Sequence, residues 1–311
     1  MDGYGDTLIW RVGPEGYAWH DGKVEHFPQE WDDGMQIPGI PYYWTWGTFN
    51  AQKIFHWDGS KTTLLDRPVA EIDGLQFIGN RAVWTERNGD SYVSWYCEGD
   101  TPKRLESSYP SNGGATMTAK RLVWLGSDGG PNRAVILREN GQTREILPPS
   151  SDRKNMVVTD EMVAWMENGS VMVWRGDSAM RISDATDINT NLYGHGPKLA
   201  WYLFEAGGKR PFYFYDGSTV SILKEYPAEF LLRNIIMNDK GMWIQGWLGF
   251  DTYHEWFDGT GFRSLGNLGT GLAHLTATHA YGSLFFAALS PHPPGCGDNA
   301  VFSNYLMGSD L

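Results

Sequence analysis

Seven times in this chain a tight two-residue turn closes an aromatic-rich run and opens a short apolar one. The turn centres are Asp21-Gly22, Asp58-Gly59, Glu98-Gly99, Asn140-Gly141, Arg175-Gly176, Asp216-Gly217 and Asp258-Gly259, spaced 35 to 42 residues apart. A self-similar period of this length is the mark of stacked or radial repeat architectures. Around the second turn the chain reads Lys53-Ile54-Phe55-His56-Trp57-Asp58-Gly59-Ser60-Lys61-Thr62-Thr63-Leu64-Leu65. A β-prone run, a turn favouring positive φ at Gly, and an alternating run make a hairpin. Seven residues after the first turn residue sits an apolar side chain in six copies: Leu65, Leu105, Leu147, Ile182, Leu223 and Leu265. In the first copy Phe27 comes one residue early. A constant offset implies a constant register, because a slip of one sends each side chain to the wrong face.

Upstream of each turn lies an apolar strand carrying an aromatic. It reads Leu8-Ile9-Trp10, Tyr42-Tyr43-Trp44, Ala82-Val83-Trp84, Leu122-Val123-Trp124, Val163-Ala164-Trp165, Leu199-Ala200-Trp201 and Met242-Trp243-Ile244. Leu284-Phe285-Phe286 stands near the C-terminus with no complete turn and strand after it. Segments such as Phe77-Ile78-Gly79, Val158-Thr159-Asp160 and Ile236-Met237-Asn238 precede most of them and read as innermost strands. One unit is therefore four strands: inner strand, Trp strand, turn strand and outer edge strand. Such a sheet has two faces to bury and must stack on neighbours, which radial closure achieves with short edges. The expected fold is all-β: a seven-bladed β-propeller of four-stranded antiparallel blades, one domain over residues 1–311, closed using both chain ends. Most of the 15 Trp serve as packing between blades in this arrangement, since sheets about 10 Å apart need large fillers.

Composition agrees with many turns and a real core, with 38 Gly and 16 Pro beside 41% hydrophobic residues. Helical periodicity is nearly absent. A net charge of −12 with no Lys/Arg run argues against nucleic acid as a partner and against an anionic membrane surface. No run is long enough to span a membrane, and the first 16 residues hold no apolar core of a leader. Cys97 and Cys296 lie on different units, so a disulfide framework is excluded, and the compartment stays open.

The phrases Phe212-Tyr213-Phe214-Tyr215-Asp216-Gly217-Ser218-Thr219-Val220 and Met242 to Trp247, continuing through Tyr253-His254-Glu255-Trp256-Phe257-Asp258-Gly259, resemble the repeats of bacterial β-propeller proteins. Those repeats are loosely similar to TolB-type propellers and recur in secreted or surface proteins. The resemblance covers about residues 7 to 290. It implies the fold and an extracellular or cell-surface setting, and it carries no catalytic signature.

Function in propellers gathers where loops collect at one end. The connections between Trp strand and turn strand share an end with those between blades, and both sets vary while the strands repeat. Gln29 to Gly34 puts Trp31 beside Glu30, Asp32 and Asp33, a flat aromatic flanked by acceptors that suits a sugar ring. The expected activity is therefore non-catalytic carbohydrate binding. Trp31, Trp247 and Phe250 would be stacking platforms, and Asp32, Asp33, Glu86 and Asp251 hydrogen-bond acceptors. The alternatives are a glycoside hydrolase or polysaccharide lyase on the same scaffold, and a protein–protein scaffold. Tyr193-Gly194-His195-Gly196 falls at the opposite end and reads as a structural turn. Zinc through His274, His279 and His292 lacks ligand spacing. No cofactor is expected. Calcium through Asp184, Asp187, Asn189 and Asn191 has the right oxygen types but no complete Asp-x-Asp-x-Asp-Gly loop.

Overall fold

A computed structural model describes the backbone of most of residues 2–307 and the side chains of most of residues 53–264. Residues 29–41, 185–190, 204–207, 265–272, 292–302 and 308–311 and some shorter turns lie outside the described residues. The fold is an all-β propeller of antiparallel sheets built from consecutive strands. The third sheet sets the pattern: inner strand Ile72–Ile78, Trp strand Arg81–Asn88, turn strand Ser91–Glu98 and outer strand Thr101–Arg104. The spatial order matches the chain order, as the repeat predicts.

The hydrophobic core is divided among the seams. Ile54 and Leu65 of the second sheet join Ala82, Trp84 and Cys97 of the third in one cluster. The next clusters join Val83 with Trp124, Val123 with Trp165, Ala164 with Trp201, and Ala200 with Ile244. Each pair comes from two adjacent sheets, so the third to sixth blades each contribute one half of two cores. Trp84, Trp124, Trp165, Trp201 and Trp243 are 2% exposed or less. The apolar position after the turn is buried at Leu65, Leu105 and Leu147 and packs against a core cluster at Ile182 and Leu223, which confirms the common register.

Two expectations are corrected. Eight sheets are described where seven blades were expected, six of four strands and two of three. The count is larger because Ala273–Tyr281, Leu284–Pro291 and Ser303–Met307 form a sheet of their own with no Asp-Gly turn to announce it. Closure also differs: no described sheet mixes strands from the two chain ends. The N-terminal sheet already owns an inner strand, Asp2–Tyr4, which is too short to show an apolar pattern. It packs against Ala273–Tyr281, so the two ends meet edge to edge across a seam.

The inner strands carry a repeated irregularity. In the third, fourth and fifth sheets the pairing slips so that two inner-strand residues face one Trp: Gly74 and Leu75 opposite Trp84, Gly114 and Ala115 opposite Trp124, Asn155 and Met156 opposite Trp165. These are β-bulges, which kink a strand and re-aim its side chains.

Candidate functional site at the loop-rich end

The two ends of the propeller are built differently. At the end bearing the Asp-Gly turns, the hairpins joining inner and Trp strands are tied blade to blade. Arg81 Nη2 donates to the Ala119 carbonyl at 2.9 Å, and the Lys120 amide donates to Asp160 Oδ1 at 3.0 Å. Thr159 Oγ1 donates to the Gly196 carbonyl at 2.6 Å, and His195 Nε2 hydrogen-bonds Asp239 Oδ1 at 2.9 Å. Farther out, Asp100 accepts from His56 at 2.6 Å and Thr63 at 3.2 Å, and Arg175 donates to the Gly217 carbonyl at 3.1 Å. His195 is thus a blade-to-blade tie, but of the turn expected over Tyr193-Gly194-His195-Gly196 the first three residues belong to the inner strand Leu192–His195 and only Gly196 to the turn.

The turn aspartates belong to the same scaffold. Asp216 Oδ1 accepts from the Ser218 amide at 2.7 Å, the Ser218 hydroxyl at 2.8 Å and the Thr219 amide at 2.8 Å. Asp58 and Asp258 repeat this with Ser60 and Lys61, and with Thr260 and Gly261. Backbone hydrogen bonds and the Ser60 hydroxyl hold the Asp58 carboxyl down at about 2; the Thr260 hydroxyl and amide do the same for Asp258. Gly217 and Gly259 follow with φ of 102° and 92°, a region closed to most side chains. These carboxylates are committed to turn geometry.

The other end gathers the variable connections. A cavity of about 250 Å³ opens there in the fifth sheet, lined by Asp152, Lys154, Met166, Glu167, Asn168 and Gly169. Glu167 is already engaged, accepting from Trp165 Nε1 at 3.1 Å and pairing with Arg153 Nε at 3.4 Å. Arg153 also donates to the carbonyls of Arg133 and Pro148, which pins the crossing from the fourth sheet to the fifth.

A second polar group is sealed between the sixth and seventh sheets. Glu255, 2% exposed, accepts from Tyr226 at 2.5 Å and Tyr253 at 2.8 Å and pairs with Lys224. The Lys224 ammonium lies 4.8 Å from the Tyr226 ring centroid and 5.2 Å from that of Phe262. Burial and the Glu255 carboxylate push the Tyr253 hydroxyl up to about 12 and raise Tyr226 further. Both phenols stay protonated and act as donors, so the cluster fastens two blades and offers no base. The pattern was hidden in the sequence because its members come from strands 29 to 31 residues apart.

Of the residues chosen from sequence, only Glu86 and Trp247 have described side chains. Trp31, Asp32, Asp33 and Phe250 lie outside the described residues, as does the Asp251 side chain. Glu86 is half-buried on the Trp strand of the third sheet and accepts from Trp84 Nε1 at 3.2 Å. Trp247 is on the seventh sheet, and the Arg233 guanidinium carbon lies 3.5 Å from its ring centroid. The sequence missed Arg233, which sits on the inner strand one hairpin away from the loop that drew attention to Trp247. Of the proposed calcium ligands, Asp184 pairs with Arg181, Asn191 is described, and Asp187 and Asn189 fall outside the described residues. The histidines proposed for zinc have no described side chains. Among the described residues no cluster of three or more His, Cys, Asp or Glu could hold a metal ion.

No protein-family model matches the chain, and no curated protein matches it by sequence. Solved structures do. The β-propeller domain of the trilobed protease from Pyrococcus furiosus, described as having an open velcro topology, aligns with a TM-score of 0.54 at 7% identity, covering 98% of this chain and 95% of that one. A post-proline cleaving enzyme from Rickettsia typhi aligns with a TM-score of 0.57 at 10% identity, covering 88% of this chain and 51% of that one. TolB from Acinetobacter baumannii is more distant, with a TM-score of 0.38 at 16% identity over 81% of this chain and 76% of that one. The chain thus spans about half the length of the peptidase and nearly the whole of the isolated propeller domain. The carbohydrate-binding expectation is overturned by the first two of these neighbours, which come from peptidases. Of the residues on which it rested, Trp247 has one face covered by Arg233, and Glu86 accepts from a packing Trp. At these identities the likeness establishes one thing, and that is a β-propeller fold.

Proposed function

We propose that this chain is a non-catalytic propeller that works with a peptidase, its loop-rich end turned toward the peptide. The observation that carries this is the alignment over 98% of the chain with the propeller of a protease. The half-length match to the post-proline cleaving enzyme supports it, since it leaves the other half of such a protein for the chemistry. The described side chains are consistent with a non-catalytic role. The His56–Asp100 pair spans a blade seam, and the hydroxyl beside it, Thr63, donates to Asp100. A nucleophile activated by that imidazole would need its hydroxyl on the histidine. The asymmetry of the two ends also suits the role: a laced base keeps the ring in shape while the variable end meets a partner.

The test is an activity measurement in two arms. The purified chain should release no fluorophore from a panel of fluorogenic peptides, whereas the chain immunoprecipitated from the cells that make it should bring peptidase activity with it. Cleavage by the chain alone, or a precipitate without peptidase activity, would sink the proposal.

A further inference from the structure

The seventh sheet differs from the third, fourth and fifth at one place, a difference it shares with the eighth, where the pairing slips between Leu275 and Ala277. Its inner strand Phe230–Asn238 also slips register, but between Leu232 and Asn234, opposite the Gly246–Gln245 step. In the third, fourth and fifth sheets the bulge faces the packing Trp itself and is made with Gly74, Gly114 or Asn155, each at positive φ. Here it is displaced toward the loop-rich end, and the extra residue is Arg233. A bulge re-aims the side chain of its extra residue, here Arg233.

What surrounds Arg233 gives it a chemistry. Its guanidinium lies over Trp247 at 3.5 Å, a cation–π contact that fixes the plane of the fork without using its donors. No ion pair or side-chain hydrogen bond engages it among the described residues, although the chain has a net charge of −12. One large exposed apolar side chain shares its face: Leu231, 40% exposed, pairs directly with Trp247, whereas Leu248, which follows Trp247 on the strand, belongs to the other face of the sheet. The support beneath is rigid. Phe230 stacks on Tyr226 at 4.1 Å and meets Tyr253 edge-on at 5.8 Å. Arg210 holds the Phe230 carbonyl at 2.6 Å.

We infer that Arg233, Trp247 and Leu231 form a subsite for the C-terminal carboxylate of a peptide ending in an apolar residue. A planar guanidinium with free donors takes a carboxylate through two parallel hydrogen bonds. Leu231 and Trp247 beside it call for an apolar group close to that carboxylate. A C-terminal residue meets both demands at once, because its carboxylate and side chain branch from one Cα. An internal Asp or Glu carries its charge on the side chain and must supply the apolar group from a neighbour. The assignment rests on the peptidase reading only for the source of such peptides. Its test uses the chain alone, so absence of a peptidase partner leaves the outcome readable.

The experiment is isothermal titration calorimetry of the full chain with N-acetyl-Leu-Leu as the free acid, the same dipeptide as its amide, and N-acetyl-Asp-Leu-amide. The free acid should bind about tenfold more tightly than either amide. Arg233→Gln should bring the free acid down to the level of its amide, while Lys103→Gln, on the outer strand of the third sheet, should leave it unchanged. Arg233→Lys, which keeps the charge and loses the fork, should recover only part of the binding. Arg233 is exposed, and matched circular dichroism spectra establish that the variants fold. Equal binding of acid and amides, no binding of any, or equal losses in Arg233→Gln and Lys103→Gln would each overturn the assignment. Tightest binding by the Asp-containing amide would overturn the C-terminal source.

Discussion

His254 lies in the middle of the seventh sheet's turn strand at 1% exposure, stacked 5.2 Å from the Trp243 ring and 16° from parallel with it. Its Nδ1 has no partner. Burial alone holds this imidazole down at about 4, against an ordinary value of 6.5. The folded chain therefore refuses a proton that the unfolded chain accepts as soon as pH drops below 6.5. The stability owed to a neutral His254 is full above that value and erodes as pH falls. The loss levels off near pH 4, where the folded form also protonates. The full difference is worth about 3 kcal/mol, and at pH 4.5 about 2.5 kcal/mol of it is gone. His254→Phe keeps a flat ring against Trp243 and removes the titration. Unfolding free energies from urea titrations at pH 7.5 and 4.5 should therefore differ by about 2.5 kcal/mol less in the variant than in the parent. At pH 4.5 the turn carboxylates Asp58 and Asp258, held at about 2, stay ionised, so they do not blur the comparison. An unchanged pH dependence in His254→Phe would show that the imidazole reaches water or a partner in solution.

Two further perturbations probe the packing. Glu255→Ala strips the acceptor from Tyr226, Tyr253 and Lys224 at once and should cost about 3 kcal/mol in urea unfolding, with Glu255→Gln losing less; a neutral Glu255→Ala would mean that the cluster contributes nothing to the seam. Gly246→Ala places a Cβ 2.1 Å from the Phe230 ring, and the forced shift should destabilise by about 1–3 kcal/mol and weaken the Arg233 subsite with it; wild-type stability would show that Phe230 can step aside.

The legible and illegible parts of this chain separate by distance along it. The Trp strand, the turn and the Leu seven residues on are contained in single hairpins, so their register could be read from spacing alone. Leu65, Leu105 and Leu147 are buried accordingly. The blade count failed where the hairpin signal failed: Asp2–Tyr4 is short and polar, and the last sheet closes without an Asp-Gly turn. The site was half legible. Varying loops pointed to the end that holds Trp247, but the residue that covers its ring belongs to the preceding strand and owes its place to a bulge. Nothing in Leu231-Leu232-Arg233-Asn234-Ile235 announces that slip. Glu86 misled because an acid two residues after a packing Trp looks solvated in sequence, while Trp84 and Trp165 each use theirs as an indole acceptor.

The ties at the turn end have a bearing on how such a repeat protein avoids misassembly. Units with the same backbone and similar cores invite one blade to dock in another's place, within a chain or between two chains. The four ties differ in kind: arginine to carbonyl, amide to aspartate, threonine to carbonyl, histidine to aspartate. A blade seated beside the wrong neighbour would keep most of its apolar contact and lose its match at the hairpin. At these four seams the lacing therefore works as an address on a scaffold whose hydrophobic surfaces are close to interchangeable.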